Sequence, residues 1–292
     1  MCRWMGWLGQ PVLIEELVFK TQYGIVDQSL RARMGAEPTN GDGFGVGWYG
    51  GGEGPGVYRS VSPAWSDTNL RELAAHIESP LFLAHVRAAI GSPVQETNCH
   101  PFRRGRWLFV HNGYIAEFPA MRRDLMLAIE PGLFAEVQGS TDTEVVFYLA
   151  LTLGLEEDPI RALELTVGFI EATARRRGVD SPVQATFGVS DGASLWAVRY
   201  ASEGRARSLF TSVDVEAILR LHPDNPRVQR LSAHDRVVVS EPVSDLEGIW
   251  EEVPEGTAIT VRQGGVLEHR SFVPKLTTPA AAERASVSVL DA

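Results

Sequence analysis

The run Leu81-Phe82-Leu83-Ala84-His85-Val86-Arg87-Ala88-Ala89 constrains the fold more than any other stretch of this chain. It is continuously apolar except at His85 and Arg87, and a run of that length reads as a strand. The two polar residues are two positions apart and therefore share one face of it. An arginine at the inner end of such a strand must find an anion, so the sequence asks for an interior strand with a charge site at its end. The composition allows it: 44% apolar and 22% charged residues in a chain of 292 can bury a substantial core, in one large domain or two ordinary ones. The net charge of −10 argues against a nucleic-acid binder, which needs a basic patch.

Other segments take their character from spacing and turn chemistry. Cys2 to Leu8 is apolar and punctuated by Gly6 and Gly9, as a buried strand ending in a turn would be. Residues 15–34 read as one short helix and a loop. Asn40-Gly41-Asp42-Gly43 forms a tight turn entering a strand over Phe44 to Tyr49, either as simple packing or facing a substrate. The spacing of Leu70, Leu73, Ala74 and Ile77 predicts a helix capped by Ser66 or Asp67. Trp107 to Val110 is a strand that runs into His111-Asn112-Gly113, where Asn-Gly on its own signals a hairpin turn. Thr141 and Glu144 form a capping box ahead of a strongly apolar helix, with Asp142 in its first turn. A second helix spans Pro159 to Arg177, and strands follow at Gln184–Ser190, Leu195–Tyr200, Ser208–Ser212, Arg236–Ser240 and Ala258–Arg262. Two helices between two groups of strands point to a layered α+β fold. Residues 276–292 lack periodicity and read as a mobile tail.

The longest strongly apolar stretch, Val145 to Leu155, is about half of the roughly 20 residues that a bilayer span needs, and no secretory signal is evident. These features, together with only two cysteines, place the chain in the cytoplasm with no disulfide framework and no membrane partner.

Cys2 directly follows the initiator Met. Removal of Met1 would leave a cysteine whose own α-amine, of pKa about 7.7–8.0, can take the thiol proton. Attack on an amide carbonyl creates an oxyanion, for which the Asn112 side chain and the Gly113 N–H supply donors. A substrate with an α-carboxylate and an α-ammonium needs a guanidinium and a carboxylate, and Arg87 and Asp142 are available for these tasks.

Cys2, Asn40-Gly41-Asp42-Gly43, His85-Val86-Arg87, Asn98-Cys99-His100-Pro101-Phe102, His111-Asn112-Gly113 and Thr141-Asp142-Thr143-Glu144 occur in the order of the class II glutamine amidotransferase domain, an N-terminal nucleophile hydrolase, which this chain closely resembles. Ser240-Glu241-Pro242 and Trp250 add to the likeness. The resemblance implies a four-layer αββα sandwich over residues 2–275. It implies that Cys2 forms a γ-glutamyl thioester and releases ammonia or an amine before water hydrolyses it. Asn112 and Gly113 would form the oxyanion hole, Arg87 would bind the substrate α-carboxylate and Asp142 its α-amino group. Asp42, Gly43, His85 and His100 fall within the same motifs.

After Arg87 the sequence Ala88-Ala89-Ile90-Gly91 lacks the Trp and Thr-His of similar sugar-amidating enzymes, and no synthase segment is visible. The chain looks more like compact stand-alone members, one of which cleaves a γ-glutamyl conjugate in the ergothioneine pathway and shares a Met-Cys-Arg start. The expected partner is thus a small molecule with a γ-glutamyl group and the expected cofactor none. A homodimer, a synthase partner subunit and a catalytically inactive glutamine-binding subunit are the alternatives left open. Two rivals are weaker. Cys99 beside His100 resembles a thiol and its base, but neighbours in a strand face opposite ways. His85, His100, His111 and Asp42 lack the tight spacing of a metal site and read as satisfied core histidines.

Overall fold

The computed structural model describes residues 2–34 and 39–277. Strand β1 (Arg3–Leu13) runs past the expected end at Leu8, with an irregularity between Leu8 and Val12. Gly9-Gln10-Pro11 fall there and the Gln10 N–H bonds the Asp235 carboxylate at 2.8 Å, so the turn signal marks a bulge within the strand. Two short helices, α1 (Ile14–Val18) and α2 (Ile25–Leu30), replace the single one expected. Gly24 parts them at a close approach, where a Cβ would come within 2.5 Å of the Val18 carbonyl oxygen.

The hairpin β2 (Phe44–Trp48) and β3 (Gly56–Ser60) leads to α3 (Thr68–His76), capped by Asp67, which accepts from the Leu70 N–H. The expected apolar strand follows as β4 (Glu78–Val86). β5 (Phe102–Arg104) then pairs with β6 (Trp107–Ile115).

β6 overturns the reading of Asn112-Gly113 as a hairpin turn. Both residues stay in the strand, opposite Thr186 and Ala185. A type I′ turn needs positive φ at two consecutive residues, and Asn112 does not adopt one. The chain bends away instead at Glu117, with φ 52°, into α4 (Phe118–Leu127) and α5 (Pro131–Phe134).

α6 (Asp142–Thr152) and α7 (Pro159–Arg175) follow, α7 ending two residues before the expected Arg177. The Asp191-Gly192 turn joins β7 (Val183–Ser190) to β8 (Ser194–Ala201) as expected. The described chain closes with β9 (Phe210–Ser212), α8 (Val215–Leu221), β10 (Arg236–Val239), β11 (Trp250–Glu252), β12 (Thr257–Arg262) and β13 (Leu267–Ser271). Most of the expected tail, from residue 278 on, lies outside the described residues.

These elements make four layers. One sheet has the order β11-β9-β10-β1-β4-β2-β3 and the other β13-β12-β8-β7-β6-β5, each pairing antiparallel. Helices α1, α2 and α3 cover the first sheet; α6 and α7 cover the second, with α4 packed on both of them. The architecture is the αββα sandwich of the N-terminal nucleophile hydrolases. Because both faces of the central strands are covered, their sequences are apolar at every position rather than at every second one. On β4, Phe82, Ala84 and Val86 face the helices, whereas Leu81 and Leu83 face the other sheet with Trp4, Leu108 and Val110. α6 is apolar all round because α4, α5, α7 and β6 surround it. Among the described residues no helix is long and apolar enough to cross a membrane.

Candidate active site

His85 continues the face of β4 that carries Leu81 and Leu83, and Arg87 follows just beyond the strand, so charge and imidazole replace leucine at one end of the space between the sheets. Arg87 is only 2% exposed. Its guanidinium donates to the Asp42 carbonyl at 3.3 Å, to Ser92 Oγ at 2.6 Å and to the Pro93 carbonyl at 3.3 Å. None of these is a carboxylate, so Arg87 has no carboxylate partner among the described residues. Asp42 and Gly43 frame this side chain from behind: the Asp42 N–H bonds the Arg87 carbonyl at 3.0 Å, the Arg87 N–H bonds the Gly43 carbonyl at 2.8 Å, and the Asp42 carboxylate accepts the Ala89 N–H at 2.8 Å. Gly43 takes φ 112° with Cys99 Sγ against it, leaving no room for a Cβ.

Cys2 is half-buried at the head of β1, with Sγ 3.6 Å from the Ala88 carbonyl oxygen. Its own carbonyl is gripped at 2.9 Å by Arg3 Nη1. Arg3 in turn pairs through Nε with the Glu241 carboxylate and through Nη2 with the Met34 carbonyl. Glu241 also accepts the Arg33 and Met34 N–H groups, each at 3.1 Å, and Ser240 accepts the Trp4 N–H at 3.0 Å. Ser240 and Glu241 therefore fasten the start of β1. The sequence alone gives neither a role; the signal for it is an acidic residue directly after an apolar strand. Burial pushes the Cys2 thiol up, Arg87 draws it down and Asp142 pushes it up. Both charges thus act on the sulfur. The state of Met1 lies outside the described residues.

Across the inter-sheet space, Trp4 Nε1 donates to Thr186 Oγ1 at 3.0 Å. Thr186 is the register partner of Asn112, and Trp4 is two residues from Cys2 on the same face of β1. Asn112 is 3% exposed and its carboxamide oxygen has no hydrogen-bond partner among the described residues. Gly113 admits no side chain, since a Cβ would run into the Gln184 carbonyl and His111 Nε2.

Asp142 opens α6. One carboxylate oxygen accepts the Ile115 N–H at 2.8 Å and the other the Thr143 N–H at 2.7 Å. The Thr143 hydroxyl lies 3.3 Å from Asp142 and 2.9 Å from His111 Nδ1. Only half of the expected capping box is present. Thr141 caps the Glu144 N–H at 3.2 Å, but Glu144 reaches further back, to the Gln138 and Gly139 N–H groups at 2.9 and 2.6 Å. Those two amides have no helix to satisfy them, and the buried carboxylate fills that need.

The histidines are buried but not satisfied as expected. His85 Nε2 bonds the His111 carbonyl at 3.1 Å, while His85 Nδ1 and both His100 nitrogens lack partners among the described residues. His100 stacks on His85 with ring centroids 4.0 Å apart. Burial pushes His85 down to about 3 and His100 well below its ordinary value, so both are neutral bases. His100 does not serve Cys99, whose thiol meets the Ser60 carbonyl at 3.4 Å instead. Among the described residues no group of three or more His, Cys, Asp or Glu is arranged to hold a metal ion.

Residues 19–285 match the family described as glutamine amidotransferases class-II. The probable glutamine amidotransferase DUG3 of Saccharomyces cerevisiae is 32% identical over 300 residues, covering 92% of this chain and 84% of that protein. A gamma-glutamyl-hercynylcysteine sulfoxide hydrolase of Mycolicibacterium smegmatis is 27% identical over 272 residues, covering 91% of this chain and 98% of that protein. Among solved structures, a glutamine aminotransferase class-II domain protein from Silicibacter pomeroyi superposes with a TM-score of 0.71 at 34% identity, covering 94% of this chain and 100% of that one.

Proposed function

The chain belongs to the class II glutamine amidotransferases, and from that premise we propose that it hydrolyses the γ-amide of glutamine or of a γ-glutamyl amide through a thioester on Cys2. One observation carries this reading: Arg87, a buried guanidinium without a carboxylate partner among the described residues, directly precedes Ala88, whose carbonyl meets the Cys2 thiol at 3.6 Å. An amino acid offers the matching pair, an α-carboxylate for Arg87 and an α-ammonium for Asp142, and its γ-carbonyl then reaches the thiol. The thiol adds to that carbonyl, the oxyanion rests on Asn112 and the Gly113 N–H, and collapse expels ammonia or an amine after proton transfer. Water repeats the sequence on the thioester and releases glutamate.

A thiol raised by burial is a poor nucleophile until a base takes its proton. The free α-amine of a matured Cys2 is that base. Residues 2–275 act as one glutaminase-like domain. A cytoplasmic setting suits it, since Cys2 must stay a thiol; both cysteines are free. Transfer of ammonia to a synthase subunit and self-association as a homodimer are the further arrangements this site permits.

The test is an intact mass spectrum before and after treatment with an electrophilic glutamine analogue, with peptide mapping. A starting mass lacking Met1 and a single adduct on Cys2 are expected. Retained Met1 with no adduct, or an adduct on Cys99, overturns the reading.

A further inference from the structure

The ladder that should support the edge of β6 stops early. β5 pairs with β6 only as far as Phe102 opposite Phe109. From His111 to Ile115 the edge facing away from β7 must find other partners. Two are present: His85 Nε2 holds the His111 carbonyl at 3.1 Å, and Asp142 holds the Ile115 N–H at 2.8 Å. In a strand the N–H and C=O of every second residue point to the same edge. The Gly113 N–H, between the two clamped groups, therefore points to this same edge, beside the Asn112 carboxamide.

We propose that His85 is a positioning residue for the oxyanion hole: its bond to the His111 carbonyl replaces the missing ladder bond and fixes Asn112 and Gly113 against Cys2. This rests on the hydrolytic reading above. His85 is opposite Trp4 on β1 and Gly45 on β2. It thus stands next to the residue whose indole crosses to Thr186, and the two cross-links secure β6 and β7 side by side. The glycine leaves open the side from which His100 stacks on the His85 ring, and Phe102 meets His100 edge-on at 4.9 Å. A carbonyl acceptor requires Nε2 to carry the proton. Burial keeps the ring neutral, with Arg87 and the neighbouring His111 also disfavouring its charged form.

The experiment compares His85→Gln, whose amide nitrogen can reach where Nε2 lies, with His85→Asn, which is too short, and His85→Leu, which has no donor. Hydrolysis of L-glutamine and of γ-glutamyl-p-nitroanilide is measured alongside binding of L-glutamate and of glutamate γ-semialdehyde, which forms a tetrahedral adduct with a thiol. Misplacing the donors is expected to lower kcat about 10²-fold in the Leu and Asn variants. KM and glutamate affinity are expected to stay within about threefold, semialdehyde affinity to fall in step with kcat, and Gln to restore most of both. Equal kcat in all variants, loss of glutamate binding together with kcat, or no recovery with Gln overturns the proposal. If the Leu variant does not fold, the Gln and Asn pair decides by the same criteria. Wild-type protein that binds neither ligand would instead remove the hydrolytic reading beneath it.

Discussion

Trp4 and Thr186 are joined from one sheet to the other by a 3.0 Å hydrogen bond from the indole Nε1 to the hydroxyl. The bond ties the strand headed by Cys2 to the strand that pairs with Asn112. Trp4→Phe keeps most of the ring packing but removes the donor, and should cost about 1 kcal/mol of stability. Its effect on turnover should be larger, about tenfold in kcat, because reacting groups are sensitive to small misplacements. Denaturant unfolding and steady-state kinetics on the same preparation check both; an unchanged kcat would show that the cross-link is structural only.

Arg87→Lys should raise KM about 10²-fold, with a smaller effect on kcat. A lysine carries the charge but cannot hold the Asp42 and Pro93 carbonyls and the Ser92 hydroxyl while also offering a planar fork to a carboxylate. Comparing L-glutamine with a γ-glutamyl analogue lacking the α-carboxylate checks the assignment, since the variant should lose the discrimination between them.

Asn112→Ala should lower kcat by about 10²–10³ at little cost in glutamate binding, as expected for one lost oxyanion donor. Gly113→Ala should behave differently. Its Cβ would collide with the Gln184 carbonyl, so β6 must shift and both stability and turnover fall. Thermal melts of the two variants, set beside their kinetics, separate the chemical loss from the steric one.

Stability should fall on acidification before ordinary carboxylates titrate. His85 is held down to about 3, and burial lowers His100 and His111 too. The unfolded chain, with imidazoles near 6.5, binds protons that the folded one refuses, so stability is fully present above pH 6.5 and is lost as pH falls towards 3. Between pH 7 and pH 5 the loss should be about 2 kcal/mol for each histidine that stays neutral. Urea midpoints across that interval check it, and a flat profile would mean that these rings are protonated in the folded state.

Glu241→Gln should destabilise the protein by about 3–5 kcal/mol, the cost of breaking a buried ion pair from one side. The amide oxygen would keep the donors on one side, but its NH2 would face either the Arg3 guanidinium and the Met34 N–H together or the Arg33 N–H. A lowered urea midpoint with an unchanged denaturant slope is the expected result.

What the sequence disclosed was local. The apolar strand through Leu81–Val86, which ends three residues short of the expected Ala89, the Asp67 cap and the Asp191-Gly192 turn each depend on residues within a few positions. Asn112-Gly113 misled because the dipeptide favours a turn in isolation, whereas eight consecutive register pairs with β7 hold it extended. β3, β5, β11 and β13 are not legible in the sequence; they are the four edge strands of the two sheets and lack the apolar runs of the interior strands. The clamp between Arg3 and Glu241 joins residues 238 positions apart, a pairing no spacing rule encodes. The Glu144 contacts were missed for a smaller reason, since the carboxylate passes over the expected cap to two loop amides beyond it.

The grip on Cys2 has a further meaning if Met1 is removed, as the proposed mechanism requires. A terminal residue is held by one peptide bond instead of two and ordinarily frays. Here the Cys2 carbonyl is caught by Arg3, and the next residue but one is bonded through both its N–H and its C=O to Ser240. In that matured chain the swivelling freedom of the thiol would be surrendered once, when the protein folds, and not again in every catalytic cycle.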